Sequence, residues 1–159
     1  MATARAGFTC PLAESLSAGV LERFLRYVVI DTQSDPLASA IPSTPKQLDL
    51  SRLLAEELGA MGLDEVECAE HGIVYATLPG TVPDAPAIGL IAHVDTSPDA
   101  PGTAVRPVVH EAWQGAPIVL LGDATQVLDP ADHPELAARV GGRRFGGCTG
   151  CSRSQRSGD

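Results

Sequence analysis

The sequence has little positive charge and no long apolar run. Its 11 Lys and Arg residues stand against 20 Asp and Glu residues, which gives a formal net charge of −9 and a pI of about 4.7. Such a chain lacks the basic stripe that would neutralise a phosphate backbone. No apolar stretch approaches the length of a membrane span, and no apolar leader follows Met1. We therefore expect no nucleic-acid partner, no membrane partner and a cytoplasmic location.

Cysteine is also scarce. The four cysteines lack the dense spacing of a small secreted disulfide framework, so we expect reduced thiols. Cys148 and Cys151 have the C-x-x-C spacing of a redox pair or of half a zinc site. No strand pattern precedes them and no second pair completes four ligands, so we interpret this spacing as a chance feature.

Composition divides the chain into three parts: an N-terminal extension over residues 1–18, a domain-like part over 19–140, and a Gly/Arg/Ser tail over 141–159. Residues 1–140 hold seven basic residues against nineteen acidic ones, whereas the tail holds four Arg against one Asp. The tail has almost nothing apolar to bury and is expected to be disordered. Its abrupt onset is typical of an out-of-frame reading of GC-rich coding DNA, which we state as a hypothesis.

Hydrophobic periodicity predicts two main helices, over residues 17–29 and 45–61. The second begins with Thr44 as the N-cap, Pro45 at the first helical position and Gln47 closing a capping box.

Strands are predicted over residues 65–69, 73–78, 87–94 and 105–109, and a short helix begins near Asp132 and stops at Gly141. The segment 87–94 is apolar throughout, which is typical of a strand buried on both faces of a parallel sheet. The predicted fold class is therefore α/β, with part of a mixed, mostly parallel sheet flanked by helices.

The apolar strand delivers His93 and Asp95 to its end. Because side chains alternate along a strand, these two emerge on the same face. A metal-binding His usually donates its other ring N–H to a carboxylate, so Asp95 can fix the tautomer of His93. Ligands of α/β sheets gather at the carboxyl ends of strands, where this pair lies. The alternative is a hydrogen-bonded pair that merely closes a strand end.

The three other histidines and an adjacent pair of glutamates are interpreted as structural or surface residues. His71 precedes a turn, His110 ends a weak strand, and His133 begins a helix. Glu56 and Glu57 fall on the polar side of a predicted helix, where a solvated charged face is common. We assign none of them to catalysis or to a metal.

Several segments together resemble the peptidase T family. They are Leu21-Glu22-Arg23-Phe24-Leu25, Asp31-Thr32-Gln33-Ser34, Pro42-Ser43-Thr44, Tyr75-Ala76-Thr77-Leu78-Pro79 and His93-Val94-Asp95-Thr96-Ser97-Pro98-Asp99. The resemblance covers about residues 19–140. This family consists of cytosolic tripeptide aminopeptidases of the dizinc aminoacylase and carboxypeptidase clan.

The resemblance implies that His93 binds one zinc of a bridged pair and that Asp95 is the catalytic carboxylate supporting it. Two metals then activate a bridging water, and a separate glutamate acts as general base. The family's later motifs, with the bridging Asp and a Glu-Glu pair, do not follow Val140 here. We therefore expect a truncated, inactive form of an enzyme that releases the N-terminal residue from tripeptides. Full zinc binding and homodimerisation are expected only in full-length relatives.

Two alternatives stay open. A deacylase of the same clan, acting on N-acyl amino acids, would keep the metals and change the substrate. A remnant or small interaction module without metal would leave His93 and Asp95 with a structural role.

Overall fold

The computed structural model describes residues 10–138, 140 and 144–148. This part of the chain forms two compact units. The first unit contains residues 10–29 and the described residues from Thr103 onward, and the second unit contains residues 30–102. The predictions for residues 1–9, 141–143 and 149–159, including the second cysteine of the C-x-x-C spacing, lie outside the described residues.

Helices and strands both occur, which confirms a mixed α/β chain. In chain order the elements are α1 (Pro11–Tyr27), α2 (Gln47–Ala60), β1 (Asp64–Cys68), β2 (Val74–Thr77), β3 (Pro107–Glu111), β4 (Ile118–Leu120), β5 (Asp123–Leu128), α3 (Pro134–Ala137) and β6 (Arg144–Cys148). The sheets among these residues are antiparallel pairs: β1 with β2, β3 with β6, and β4 with β5. A parallel pairing occurs in this part of the chain only as a bridge between Gln33 and Thr96. The described residues therefore do not form the predicted mostly parallel sheet.

Residues 87–94 show why the parallel sheet is missing. The sequence predicts a buried central strand here, but the backbone is irregular. Ile88, Leu90 and Ile91 are 86%, 95% and 99% exposed. A strand is stable only when neighbours pair with its N–H and C=O groups, and the described residues supply no such neighbour. The strand prediction is therefore wrong for this structure.

Replacing Ile91 with lysine is expected to raise the soluble concentration of the 159-residue chain. An exposed, uncharged, proline-free apolar run pairs readily with copies of itself, and a charge at its centre opposes that pairing. The measurement is the protein remaining in the supernatant after ultracentrifugation at rising total concentration. Leu37→Lys is the matched control, because Leu37 is 93% exposed but lies outside the run. An equal gain from that control would contradict the explanation.

Helix α1 begins at Pro11, earlier than the predicted start near residue 17. Cys10 is its N-cap, and the Sγ atom of Cys10 accepts a hydrogen bond from the Ala13 N–H at 3.4 Å. Proline suits the first helical turn because its fixed φ matches the helix and its missing N–H is not needed there. The helix thus extends into the segment predicted as an N-terminal extension. None of the helices in the described part combines the length and the apolar character of a bilayer-spanning segment.

Helix α2 packs against the β1–β2 hairpin in the second unit. Its buried residues are Gln47, Leu50 and Ser51. The Ser51 hydroxyl donates to the carbonyl of Gly72, in the hairpin turn, at 2.8 Å. Gly72 has φ +79°, and a Cβ there would lie 2.9 Å from a side-chain carbon of Leu48. The hairpin that the sequence predicts is confirmed, with strand ends shifted by one residue.

The start of α2 departs from its prediction. Lys46 is the N-cap, and no side-chain hydrogen bond caps the helix. The Thr44 hydroxyl instead donates to the Gln33 carbonyl at 2.7 Å, and the Gln47 amide donates to Ser43 Oγ at 3.1 Å. The predicted capping box is therefore wrong, because Thr44 has an acceptor far away in the sequence.

The first unit has a small core around its one tryptophan. Trp113, Ile118 and Leu136 are 8%, 8% and 6% exposed, and Leu128 packs against them. The indole N–H of Trp113 donates to the Ala116 carbonyl at 2.9 Å, so the buried ring has its hydrogen-bond partner. Strands β4 and β5, which no prediction covers, supply two of these side chains.

Strand β6 lies in the tail for which composition predicts disorder. Its backbone pairs antiparallel with β3, with Val109 opposite Gly146. The structure differs from the prediction here because backbone pairing needs no apolar periodicity, so composition gives no sign of this strand.

Asp123 begins β5 and accepts two hydrogen bonds from Thr125. The hydroxyl and the backbone N–H of Thr125 donate to Asp123 Oδ1 at 2.6 and 2.9 Å, and they lower the pKa of Asp123 below its usual value. We expect Thr125→Val to raise that pKa toward its usual value, as followed by carboxyl ¹³C NMR. Since the folded-state pKa is depressed, the stabilisation is present above the unfolded-state pKa and is lost as pH falls through the folded one. An unchanged Asp123 titration in the variant would contradict this.

Candidate metal-binding site

His93 and Asp95 lie together, as the sequence predicts. The Nδ1 atom of His93 is 3.0 Å from the backbone carbonyl oxygen of Asp95 and 3.2 Å from its carboxylate Oδ1. Both oxygens are acceptors, so Nδ1 is the donor in this contact, and in the neutral imidazole Nε2 then keeps its lone pair. The side chains of His93 and Asp95 are 85% and 48% exposed, so the described residues do not shield the pair in a cleft. A neutral imidazole that donates through Nδ1 keeps an Nε2 lone pair that is able to bind a metal ion.

A group of polar residues surrounds the loop that follows Asp95, and we call it the polar clamp. It consists of Asp31, Thr32, Gln33, Ser34, Thr44 and Lys46. Among the members of the polar clamp, Lys46 Nζ lies 2.8 Å from Asp31 Oδ1, and the Gln33 N–H donates to the same oxygen at 3.0 Å. The Thr44 hydroxyl donates to the Gln33 carbonyl. These contacts fix the backbone of Gln33 from both sides.

The polar clamp also forms hydrogen bonds with residues 96–100, in the loop that follows Asp95. The Thr96 N–H donates to the Thr32 carbonyl at 3.1 Å, and the Ser34 N–H donates to the Thr96 carbonyl at 3.0 Å. The side-chain amide of Gln33 donates to the carbonyls of Pro98 and Ala100, at 3.2 and 2.9 Å. The loop after Asp95 is thus attached to the polar clamp at three residues, Thr96, Pro98 and Ala100.

Gly102 lies against the polar clamp, and a Cβ there would be 2.6 Å from Asp31 Oδ1. Gly102→Ala is expected to destabilise the second unit by about 1–3 kcal/mol, the usual cost of overpacking. To admit the methyl group, Asp31 must move away from Lys46 and Gln33. Urea denaturation measures the loss. Gly89→Ala is the control, because nothing lies within 4 Å of its added Cβ; equal losses in both variants would contradict the assignment.

Local sequence patterns did not reveal the polar clamp. The local pattern of residues 31–36 indicates only a break after the first helix, and that of Thr44 indicates a helix cap. The one available signal was that three segments carrying the family resemblance, 31–34, 42–44 and 93–99, lie far apart in the chain. The structure brings all three together in the second unit.

The remaining candidates do not join the pair. Among the described residues, no group of three or more His, Cys, Asp or Glu side chains could hold a metal ion. His71 contacts the Ile41 carbonyl at 3.3 Å, and His133 lies 3.6 Å from Glu135. The roles of His93 and Asp95 toward zinc remain predictions.

The sequence matches no family model. It is 50% identical over 119 residues to peptidase T of Geobacillus thermodenitrificans, covering 74% of this chain and 29% of that protein. It is 50% identical over 125 residues to peptidase T of Desulfitobacterium hafniense, covering 78% and 30%. Peptidase T of an Exiguobacterium species is 47% identical over 127 residues, covering 79% and 31%.

These similarities place the chain among peptidase sequences. The chain is homologous to a part of peptidase T. The chain spans about 30% of the length of the curated relatives it matches. The resemblance drawn from the sequence motifs is confirmed.

Proposed function

We propose that this chain is part of a peptidase T-like metallo-aminopeptidase that releases the N-terminal residue from tripeptides. In this proposal His93 binds one zinc ion through Nε2, and Asp95 holds the imidazole through Nδ1. The contact of Nδ1 with two Asp95 oxygens carries the proposal, because it favours the tautomer that a metal ligand needs. The 47–50% identity to peptidases T supports the substrate class.

The described residues fit one ligand position and not a complete metal site. A catalytic zinc normally has three protein ligands and an open position. When bound in the longer protein, the metal supplies a Lewis acid and an activated water. In this proposal His93 contributes a lone pair, Asp95 keeps the proton on Nδ1, and neither acts as the general base. The 159-residue chain alone is therefore proposed to be inactive.

The longer protein would also complete the fold. We propose that residues 87–94 form a strand of a mixed, mostly parallel sheet flanked by helices there, because the described structure leaves their apolar side chains in water. Short peptides are the proposed partners, with no nucleic-acid or membrane partner and a cytoplasmic location. A homodimer is proposed for the full-length protein alone.

A chimera tests the proposed function. Residues 19–140 of this chain replace the matching segment of peptidase T from Geobacillus thermodenitrificans, and the purified protein is given tripeptides. We expect release of the N-terminal residue that a chelator abolishes and added zinc restores. N-acyl amino acids are assayed in parallel, and their preferential hydrolysis would indicate a deacylase. A folded chimera without hydrolytic activity would support the non-enzymatic alternative.

The tail from residue 141 is proposed to arise from a change of reading frame. Translation of the coding DNA beyond the codon for Val140, in the two other frames, tests this. A Gly-Ala-Asp-Asp segment and a Glu-Glu pair are expected there. Their absence from both frames would reject the frame change and reopen the function of the short chain.

A further inference from the structure

We infer that Gln33 is a positioning residue for His93: its side-chain amide holds the loop after Asp95 and thereby keeps Asp95 against the imidazole. This inference rests on the proposed metal-binding role of His93. It starts from the two hydrogen bonds that the Gln33 amide donates to the carbonyls of Pro98 and Ala100, at 3.2 and 2.9 Å. One side chain thus uses both of its N–H groups on a loop more than sixty residues away in the sequence.

The position of the Gln33 amide is itself fixed. Its backbone N–H donates to Asp31 Oδ1, and its carbonyl accepts from the Thr44 hydroxyl at 2.7 Å. Lys46 holds Asp31 through an ion pair at 2.8 Å between side chains that are 35% and 20% exposed. Every polar group of Gln33 that can donate a hydrogen bond is therefore engaged, and the side chain extends from an anchored backbone.

The fixed loop sets the orientation of Asp95. The carbonyl of Asp95 and the N–H of Thr96 belong to one planar peptide unit. Because that N–H donates to the Thr32 carbonyl at 3.1 Å, the Asp95 carbonyl has a set direction, and it accepts from His93 Nδ1 at 3.0 Å. The Gln33 bonds to Pro98 and Ala100 keep the rest of the loop in the conformation that allows this pairing. Loss of those bonds would release Asp95 from the imidazole.

The test follows the tautomer of His93 in the complete 159-residue chain, by long-range ¹H–¹⁵N NMR at a pH where the imidazole is neutral. Gln33→Met keeps the length of the side chain and removes both donors. We expect the Nδ1–H tautomer to dominate in the parent chain and to become the minor form in this variant, because a free imidazole prefers hydrogen on Nε2. Gln33→Glu, which opposes a carboxylate to the two carbonyls, is expected to act in the same direction.

Gln114→Met is the matched control, because the Gln114 amide donates to a carbonyl two residues away, that of Ala112, at 2.6 Å. It should leave His93 unchanged. Amide resonances of β1, β2 and Gly72 report whether the second unit stays folded in each variant. A folded Gln33→Met variant with an unaltered His93 tautomer would overturn the inference. This readout needs no metal and no activity, so its failure is distinguishable from failure of the proposed function.

The chimera gives a second readout. There Gln33→Met is expected to lower kcat about 10- to 100-fold, the usual cost of releasing a group that orients a metal ligand. The KM should change little, because Gln33 is not proposed to touch the substrate. A raised KM with unchanged kcat would assign Gln33 to substrate binding instead and contradict the positioning role.

Discussion

Replacing Trp113 with alanine is expected to destabilise the first unit by about 3–5 kcal/mol, the usual cost of deleting a large buried aromatic side chain. Trp113 packs with Ile118 and Leu136 in a small core. Because the core is small, few other apolar contacts can compensate for the cavity that alanine would leave. Typical domains are stable by only about 5–15 kcal/mol in total. The substitution therefore removes a large share of what holds this unit together.

Urea denaturation followed by far-ultraviolet circular dichroism measures this effect, because the variant has lost the only tryptophan. Trp113→Phe is the control: it keeps much of the ring volume and loses the hydrogen bond to the Ala116 carbonyl. The phenylalanine variant should lose clearly less of the free energy of unfolding than the alanine variant. An unchanged urea midpoint for Trp113→Ala would show that the cluster is not the core of the first unit.

In the chimera, His93→Ala is expected to lower kcat/KM by more than about 100-fold, because even a group that only orients a metal ligand is worth about 10–100-fold. Asp95→Asn should lower kcat/KM by about 10–100-fold. The asparagine carbonyl can still accept from Nδ1, but it lacks the charge that makes the imidazole a stronger ligand. Steady-state kinetics with a tripeptide and the zinc content of each purified variant provide the measurements.

His133→Ala is the matched control for His93→Ala. His133 also contacts a carboxylate, Glu135, but it lies at the start of α3 with no proposed role in the site. Its substitution should leave both activity and zinc content unchanged. Equal losses from the two histidine variants would indicate a general effect on folding and contradict the assignment of His93.

Sequence periodicity predicted those elements that are stabilised by contacts between residues close together in the sequence. Helix α2 and the β1–β2 hairpin contain their own apolar faces, turn and hydrogen-bond partners, and their predicted bounds were nearly correct. Residues 87–94 have the composition of a strand but depend on neighbours that the described residues do not supply. The β4–β5 hairpin was missed, although Gly122 in its short loop is a turn signal.

The candidate site was predictable only in part, for a related reason. His93 and Asp95 are two residues apart, so strand geometry alone places them on one face. The polar clamp joins segments separated by more than fifty residues through backbone carbonyls, which every residue possesses and which no sequence pattern marks. Thr44 illustrates the limit: its local context fits a helix cap, but its hydroxyl donates to Gln33.

We propose above that His93 binds a metal ion through Nε2 while Asp95 holds Nδ1. A crystal structure of the zinc-loaded chimera tests it most directly. We expect a zinc ion about 2.0–2.1 Å from His93 Nε2, with Asp95 still accepting from Nδ1. Zinc bound without His93, or bound through Nδ1 with Asp95 displaced, would contradict it.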